Sequence, residues 1–164
     1  MTTPACVLFD LDGVLAHYDH DTRVRLLAVR SGTTDAAVNA ALFDSGLERD
    51  ADLGRYDAEQ QASELSRRLG APVTLADCVD ARAVSMTADD AMLTLAMHVS
   101  RRATVAILSN NGWLVRDHLG DNVDGAIAAG LYAHHYRDIG ALSALLHDLD
   151  LLDPCLLEPD HAAT

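Results

Sequence analysis

The sequence predicts an open α/β fold, in which a small parallel sheet of about three strands is interrupted after its first strand by a block of helices. Three observations carry this expectation. The runs Ala5-Cys6-Val7-Leu8-Phe9, Thr104-Val105-Ala106-Ile107-Leu108 and Leu131-Tyr132-Ala133-His134-His135-Tyr136 are short and continuous, as in strands buried on both faces. The first two end in small polar stretches, Asp10-Leu11-Asp12-Gly13 and Ser109-Asn110-Asn111-Gly112, which places a candidate site at the carboxyl edge of the sheet. Between these two runs the pattern is helical.

Taken in order, helices are predicted over His20 to Arg30, Asp35 to Phe43, Ala58 to Leu69 and Leu75 to Met86, separated by glycine, proline or aspartate-rich turns. Thr33-Thr34-Asp35 and Thr74-Leu75-Ala76-Asp77 read as N-caps, and Gly32, Gly46 and Gly70 sit where C-terminal caps belong. A fifth helix, Ala88 to Arg102, presents Met92, Leu95, Ala96 and Val99 at i, i+3, i+4 and i+7. Its end carries Arg101-Arg102, where cations suit the helix dipole. After Gly112, Trp113 to Leu119 reads as a helix with Trp113 and Leu114 facing the sheet. Residues 122–130 form an alanine-rich helix with a C-cap glycine, and 138–149 a last amphipathic helix, followed by a frayed tail. Residues 1–15 plus 87–164 then make the α/β core, and 16–86 an inserted helical unit.

Composition excludes several classes. The 164 residues include 25 acidic and 12 basic side chains, for a net charge of −13, and all the basic residues are arginine. That charge repels nucleic acid and anionic membrane surfaces. No apolar run approaches the ~18 residues of a membrane helix, and the acidic N-terminus does not look like a signal peptide. A soluble, cytoplasmic protein is expected. Cys6, Cys78 and Cys155 match neither a disulfide framework nor a zinc spacing, and read as small buried hydrophobes in a reducing compartment.

The chemistry concentrates at the strand ends. Two carboxylates closing a buried strand are costly without compensation, and a magnesium ion with several waters is the natural partner for such hard oxygen donors. One carboxylate can also be a nucleophile and a second a general acid and base. On pattern alone, Asp12-Gly13 has the alternative of a tight turn that pairs Cys6–Phe9 with Val14–Tyr18 as a hairpin, and Ser109-Asn110-Asn111-Gly112 standing alone reads as an ordinary turn.

The string Phe9-Asp10-Leu11-Asp12-Gly13-Val14-Leu15 resembles the first motif of the haloacid dehalogenase (HAD) superfamily, and Leu108-Ser109-Asn110-Asn111-Gly112 resembles its second. Gly54-Arg55-Tyr56-Asp57-Ala58-Glu59 is similar to a glycine-containing segment of that family's helical caps. The resemblance implies an abbreviated HAD-like Rossmannoid sheet with an α-helical cap inserted over 16–86. It implies that Asp10 is the nucleophile, forming an aspartyl-phosphate. Asp12 would protonate the leaving oxygen and then activate water, while Ser109, with Gly13 and Asn110, would hold the phosphoryl group. Magnesium would sit on Asp10 and the Asp12 carbonyl. An acid at position 12 points to the phosphatase or phosphomutase branch rather than to dehalogenation.

The sequence also departs from that family. A chain without lysine lacks the third-motif lysine, and the short interval between Asn111 and Asn122 leaves no room for the fourth-motif strand with its acidic metal ligands. Asp121 is the candidate substitute ligand, an N-cap role being its alternative; Asp117 would lie partway down a helix. Arg116 and Arg137 are weak substitutes for the lysine, since a planar fork does not reproduce an ammonium. An internal deletion follows, with the last strand pairing where the missing one would lie. His134 and His135 point to opposite faces of a strand and do not share a metal. The expected function is a magnesium-dependent phosphatase of weak activity acting on a small phosphorylated metabolite. The alternatives are an impaired remnant that binds phosphate or a partner, and a phosphomutase.

Overall fold

The computed structural model describes residues 6–119 and 132–135. Strands β1 (Cys6–Phe9), β4 (Thr104–Ser109) and β5 (Tyr132–His135) form a parallel sheet in the order β1-β4-β5. β4 lies between the other two, and Val105, Ala106 and Ile107 on it are buried. That explains its unbroken apolar run. β5 pairs with the free edge of β4 and not with β1, so the expectation that the last strand takes the place of the missing fourth-motif strand is corrected.

A second sheet is small and was not legible as such. β2 (Ala16–Tyr18) pairs antiparallel with β3 (Met86–Ala88), in the register Ala16↔Ala88 to Tyr18↔Met86. The hairpin alternative therefore fails: β2 leaves β1 and joins a strand 70 positions away. The helices between His20 and Val84 are all strung between β2 and β3.

Helix α1 (His20–Ser31) starts at the Asp19 carboxylate, which accepts from Thr22 N–H, and stops at Gly32 in the left-handed region. Only glycine takes that conformation at little cost. α2 (Asp35–Val38), capped by Thr34, runs directly into a π-helical turn over Asn39–Asp44. Its register matches the reach of Asn39 Oδ1 to His20 Nε2 (2.8 Å) and of the Phe43 ring to the same imidazole. Short α3 (Leu47–Asp52) was not anticipated; Gly46 begins it rather than capping the helix before. α4 (Ala58–Leu69) and α5 (Leu75–Val84) both carry reciprocal capping boxes, Asp57 with Gln60 and Thr74 with Asp77. α6 (Asp90–Ser100) buries Ala96, with Met92, Leu93 and Val99 packed alongside. Leu95 points outward, because the packed face lies one position further round the helix.

Two apolar cores result. One lies within the helices and includes Val24, Leu27, Val38, Leu42, Leu47, Leu65 and Cys78. The other lies against the parallel sheet and includes Phe9, Leu15, Ala96, Val105 and Ile107. α7 (Trp113–His118) belongs to both: Trp113 and Leu114 enter the helical core, while Val115 and the following Leu119 enter the sheet core. The expectation that Trp113 and Leu114 face the sheet is thus corrected: they face the helical core, and the sheet-facing side of α7 is that of Val115. No described helix is long and apolar enough to cross a membrane. Residues 122–130 and 138–149 lie outside the described residues.

Candidate active site

Asp10 follows β1 immediately, and Ser109 closes β4. Because the two strands are parallel and in register through Phe9↔Ile107, both residues stand at the same edge of the sheet. Asp10 is exposed, with its Oδ1 accepting from Leu11 N–H at 2.7 Å. The chain then turns tightly. Leu11 carbonyl accepts from both Leu15 and Ala16 N–H, and Gly13 N–H donates to Ala16 carbonyl at 2.7 Å. Gly13 has φ +75° with open space around a hypothetical Cβ, so the glycine is required by backbone conformation and not by crowding.

This turn presents Asp12 to the helical insertion. Its Oδ2 accepts from Arg82 Nη2 at 2.5 Å, while Oδ1 is buried without a hydrogen-bond partner. Arg82 lies in the last turn of α5 with only 4% of its side chain exposed. Its guanidinium stacks 4.4 Å from the centre of the Tyr18 ring, within cation–π range. The same Nη2 donates to Asn111 Oδ1 at 2.8 Å, and Asn111 Nδ2 in turn donates to buried Ser109 Oγ at 2.8 Å. One guanidinium therefore ties the acid of the first loop to the hydroxyl of the second.

The second loop is gripped from another direction as well. Gly112 N–H donates to Asp52 Oδ1, at the end of α3, at 2.9 Å. A Cβ on Gly112 would stand 3.0 Å from the Ala51 carbonyl oxygen, so glycine is needed here for close approach. Burial pushes the Asp52 carboxyl up to about 6, and the nearby Glu48 charge adds to it, against the Gly112 N–H and two arginines. Behind this contact, Glu48 receives both Arg23 nitrogens, Nη2 at 3.0 Å, together with Gln61 Nε2 at 2.7 Å. Burial opposes ionisation of Glu48, yet the Arg23 charge and hydrogen bonds hold its carboxyl below the usual range.

Of the residues expected at the site, Asp10, Asp12, Gly13 and Ser109 converge on one edge. Asn110 is exposed, and it is Asn111 that joins the network. Asp117 is exposed on α7. Asp121 and Arg137 lie outside the described residues. Arg82 and Asp52 were missed. The available signal for Arg82 was a cation on the same face of α5 as buried Cys78 and Ala81; for Asp52 there was none.

Among the described residues no group of three or more His, Cys, Asp or Glu side chains could hold a metal. The donors present still suit a hard cation in kind: an exposed Asp10 carboxylate, and beside it Asp12 with an unpartnered buried oxygen. Magnesium keeps several waters and accepts few protein ligands.

No protein-family model matches the sequence, and neither does any characterised protein. Solved structures do. A HAD family enzyme from Bacteroides thetaiotaomicron superposes with a TM-score of 0.69 at 15% identity, over 90% of this chain and 78% of that one. The same enzyme in complex with magnesium and inorganic phosphate gives 0.69 at 14% identity, over 89% and 79%. A predicted HAD-like family hydrolase from Porphyromonas gingivalis gives 0.59 at 18% identity, over 88% of this chain and 98% of that one. Among the described residues, a three-stranded parallel sheet and a helical block strung between two short strands, together with this set of neighbours, give the chain an abbreviated HAD-like fold.

Proposed function

We propose that the chain is a magnesium-dependent phosphatase of the HAD type, of weak activity, acting on a small phosphorylated metabolite, with residues 16–86 as its cap. The observation that carries this reading is the convergence of Asp10 and Asp12 with Ser109 on one sheet edge. A neighbour of the same fold crystallised with magnesium and phosphate supports it. A net charge of −13 disfavours polyanionic partners and suits a soluble cytoplasmic enzyme.

In this reading the exposed Asp10 carboxylate attacks phosphorus, forming an aspartyl-phosphate as the bond to the leaving oxygen breaks. Asp12 gives that oxygen a proton through Oδ1, the oxygen Arg82 leaves unengaged, and then takes one from the water that hydrolyses the intermediate. Ser109 Oγ donates to a phosphoryl oxygen, oriented by Asn111. Asp10 through its carboxylate and Asp12 through its backbone carbonyl would hold magnesium, with Asp121 as a further ligand; when bound, the ion supplies positive charge against the phosphoryl oxygens.

Turnover of p-nitrophenyl phosphate with magnesium tests this. Weak activity is expected, lost on chelation and in Asp10→Asn; activity that survives in Asp10→Asn overturns the mechanism. A second reading, a phosphate-binding protein without turnover, is favoured by one observation: no third carboxylate joins Asp10 and Asp12 among the described residues. It predicts a phosphate-dependent rise in Tm with no product.

A further inference from the structure

We propose that Arg82, carried by the helical insertion, is the positioning residue that supplies the site's fixed positive charge, so that the site is complete only while the insertion is seated. The inference rests on the phosphatase reading and concerns which residue of this chain makes it workable.

The site gathers two carboxylates, and a phosphoryl group would add further negative charge. A fixed cation is then an electrostatic requirement, and the chain contains no lysine. Among the described residues two arginines are buried, Arg23 and Arg82. Arg23 is committed elsewhere, since its two terminal nitrogens meet the two oxygens of Glu48. That is the fork-shaped pairing of a structural ion pair, made to a single carboxylate.

Arg82 is built differently. Both of its hydrogen bonds leave from one nitrogen, Nη2, toward two different residues, Asp12 and Asn111, so it makes no fork to a single carboxylate; its Nε, like that of Arg23, is buried with no partner. A buried guanidinium paired so sparsely is costly as a stability device. Its two contacts, however, are with the two loops that carry the chemistry. Through Asp12 Oδ2 it fixes which oxygen remains for proton exchange. Through Asn111 it sets the direction of Ser109 Oγ. The Tyr18 ring below it and the Ser85 hydroxyl on the Arg82 carbonyl (2.7 Å) hold the arginine itself in place.

The experiment compares wild type, Arg82→Met and Arg82→Lys in p-nitrophenyl phosphate turnover with magnesium. Alongside it, the Tm shift caused by inorganic phosphate alone is measured by calorimetry. Arg82→Met is expected to lose at least about 100-fold in kcat, the scale of a lost charge-stabilising group, with KM changed far less. Added methylguanidinium should restore part of the loss, Arg82→Lys should fall between, and the phosphate-dependent Tm shift should shrink in Arg82→Met. Wild-type kcat in folded Arg82→Met overturns the proposal, as does a loss matched by unfolding that neither methylguanidinium nor lysine relieves. If wild type binds phosphate but shows no turnover, the phosphatase reading falls, and the phosphate shift in Arg82→Met decides on Arg82. If wild type shows neither, both fall.

Discussion

Replacing Asp52 by asparagine keeps an oxygen to accept from Gly112 N–H and removes the charge. The structure says the charge is unfavourable there: burial first, then Glu48, raise this carboxyl from 3.8 to about 6. Between those values the folded chain holds a proton that the unfolded chain has released. The stability this group contributes is therefore present in full below the unfolded value and lost as pH rises through about 6. About two units at roughly 1.4 kcal/mol each give about 3 kcal/mol as an upper bound. Asp52 is only partly buried, and solvent screening reduces this to about 1–2 kcal/mol. For a chain of this size that corresponds to roughly 2–8 °C in Tm. Calorimetry of wild type and Asp52→Asn at acidic and slightly alkaline pH is the assay. The variant should gain stability at the alkaline value, with the gap closing toward about pH 4. Parallel pH curves, or an asparagine variant less stable in alkali, would refute the argument that the carboxylate is held at a cost. Asp52→Ala should gain less, because it also strands the Gly112 N–H.

Two further substitutions test the packing around the site. Gly112→Ala places a Cβ 3.0 Å from the Ala51 carbonyl oxygen and 3.1 Å from its carbon. Backbone cannot swing aside as a side chain can, so a loss of about 1–3 kcal/mol is expected in urea unfolding; an unchanged midpoint would show that the α3 contact yields freely. Arg23→Met leaves Glu48 without its buried cation and should cost about 3–5 kcal/mol, partly recovered in the double variant with Glu48→Gln. The same variant serves as a control for Arg82: it should lower Tm while the folded fraction keeps its kcat.

The parts of the fold that could be read were those whose cause is local. The run Thr104–Leu108 is apolar because its strand is covered on both faces. Gly32 and Gly70 end helices because the left-handed backbone selects glycine where it occurs. Thr34 and Thr74 cap because their oxygens reach a nearby N–H. What escaped depends on partners far along the chain. Ala16–Tyr18 is three residues long and becomes a strand only by meeting Met86–Ala88. Arg82 sits among alanines like any solvated helix arginine, and its role comes from contacts with Asp12, 70 positions earlier, and Asn111, 29 positions later. Asn110 and Asn111 are chemically identical on the page, and only the loop's path decides that the second faces the site. Asp10, Asp12 and Ser109 were legible as candidates only because the strings around them resemble two motifs of a known family; on pattern alone both loops also read as turns.

The pairing of β1 with β4 has a consequence for how the protein is made. Cys6 finds its partner only when Thr104 is available. At ribosomal rates of about 5–20 residues per second the first strand waits roughly 5–20 s without one. During that interval α1 to α5 have already emerged and can collapse on contacts closer in sequence, but their core still lacks Trp113 and Leu114. Docking of α7 then fills the helical core and the sheet core in one event, and the same event draws Asn111 and Gly112 against Arg82 and Asp52. Biogenesis and assembly of the site thus share their final step: Asp12 and Arg82 can meet once β2 and β3 pair, but Ser109 and Asn111 join them only when that helix arrives.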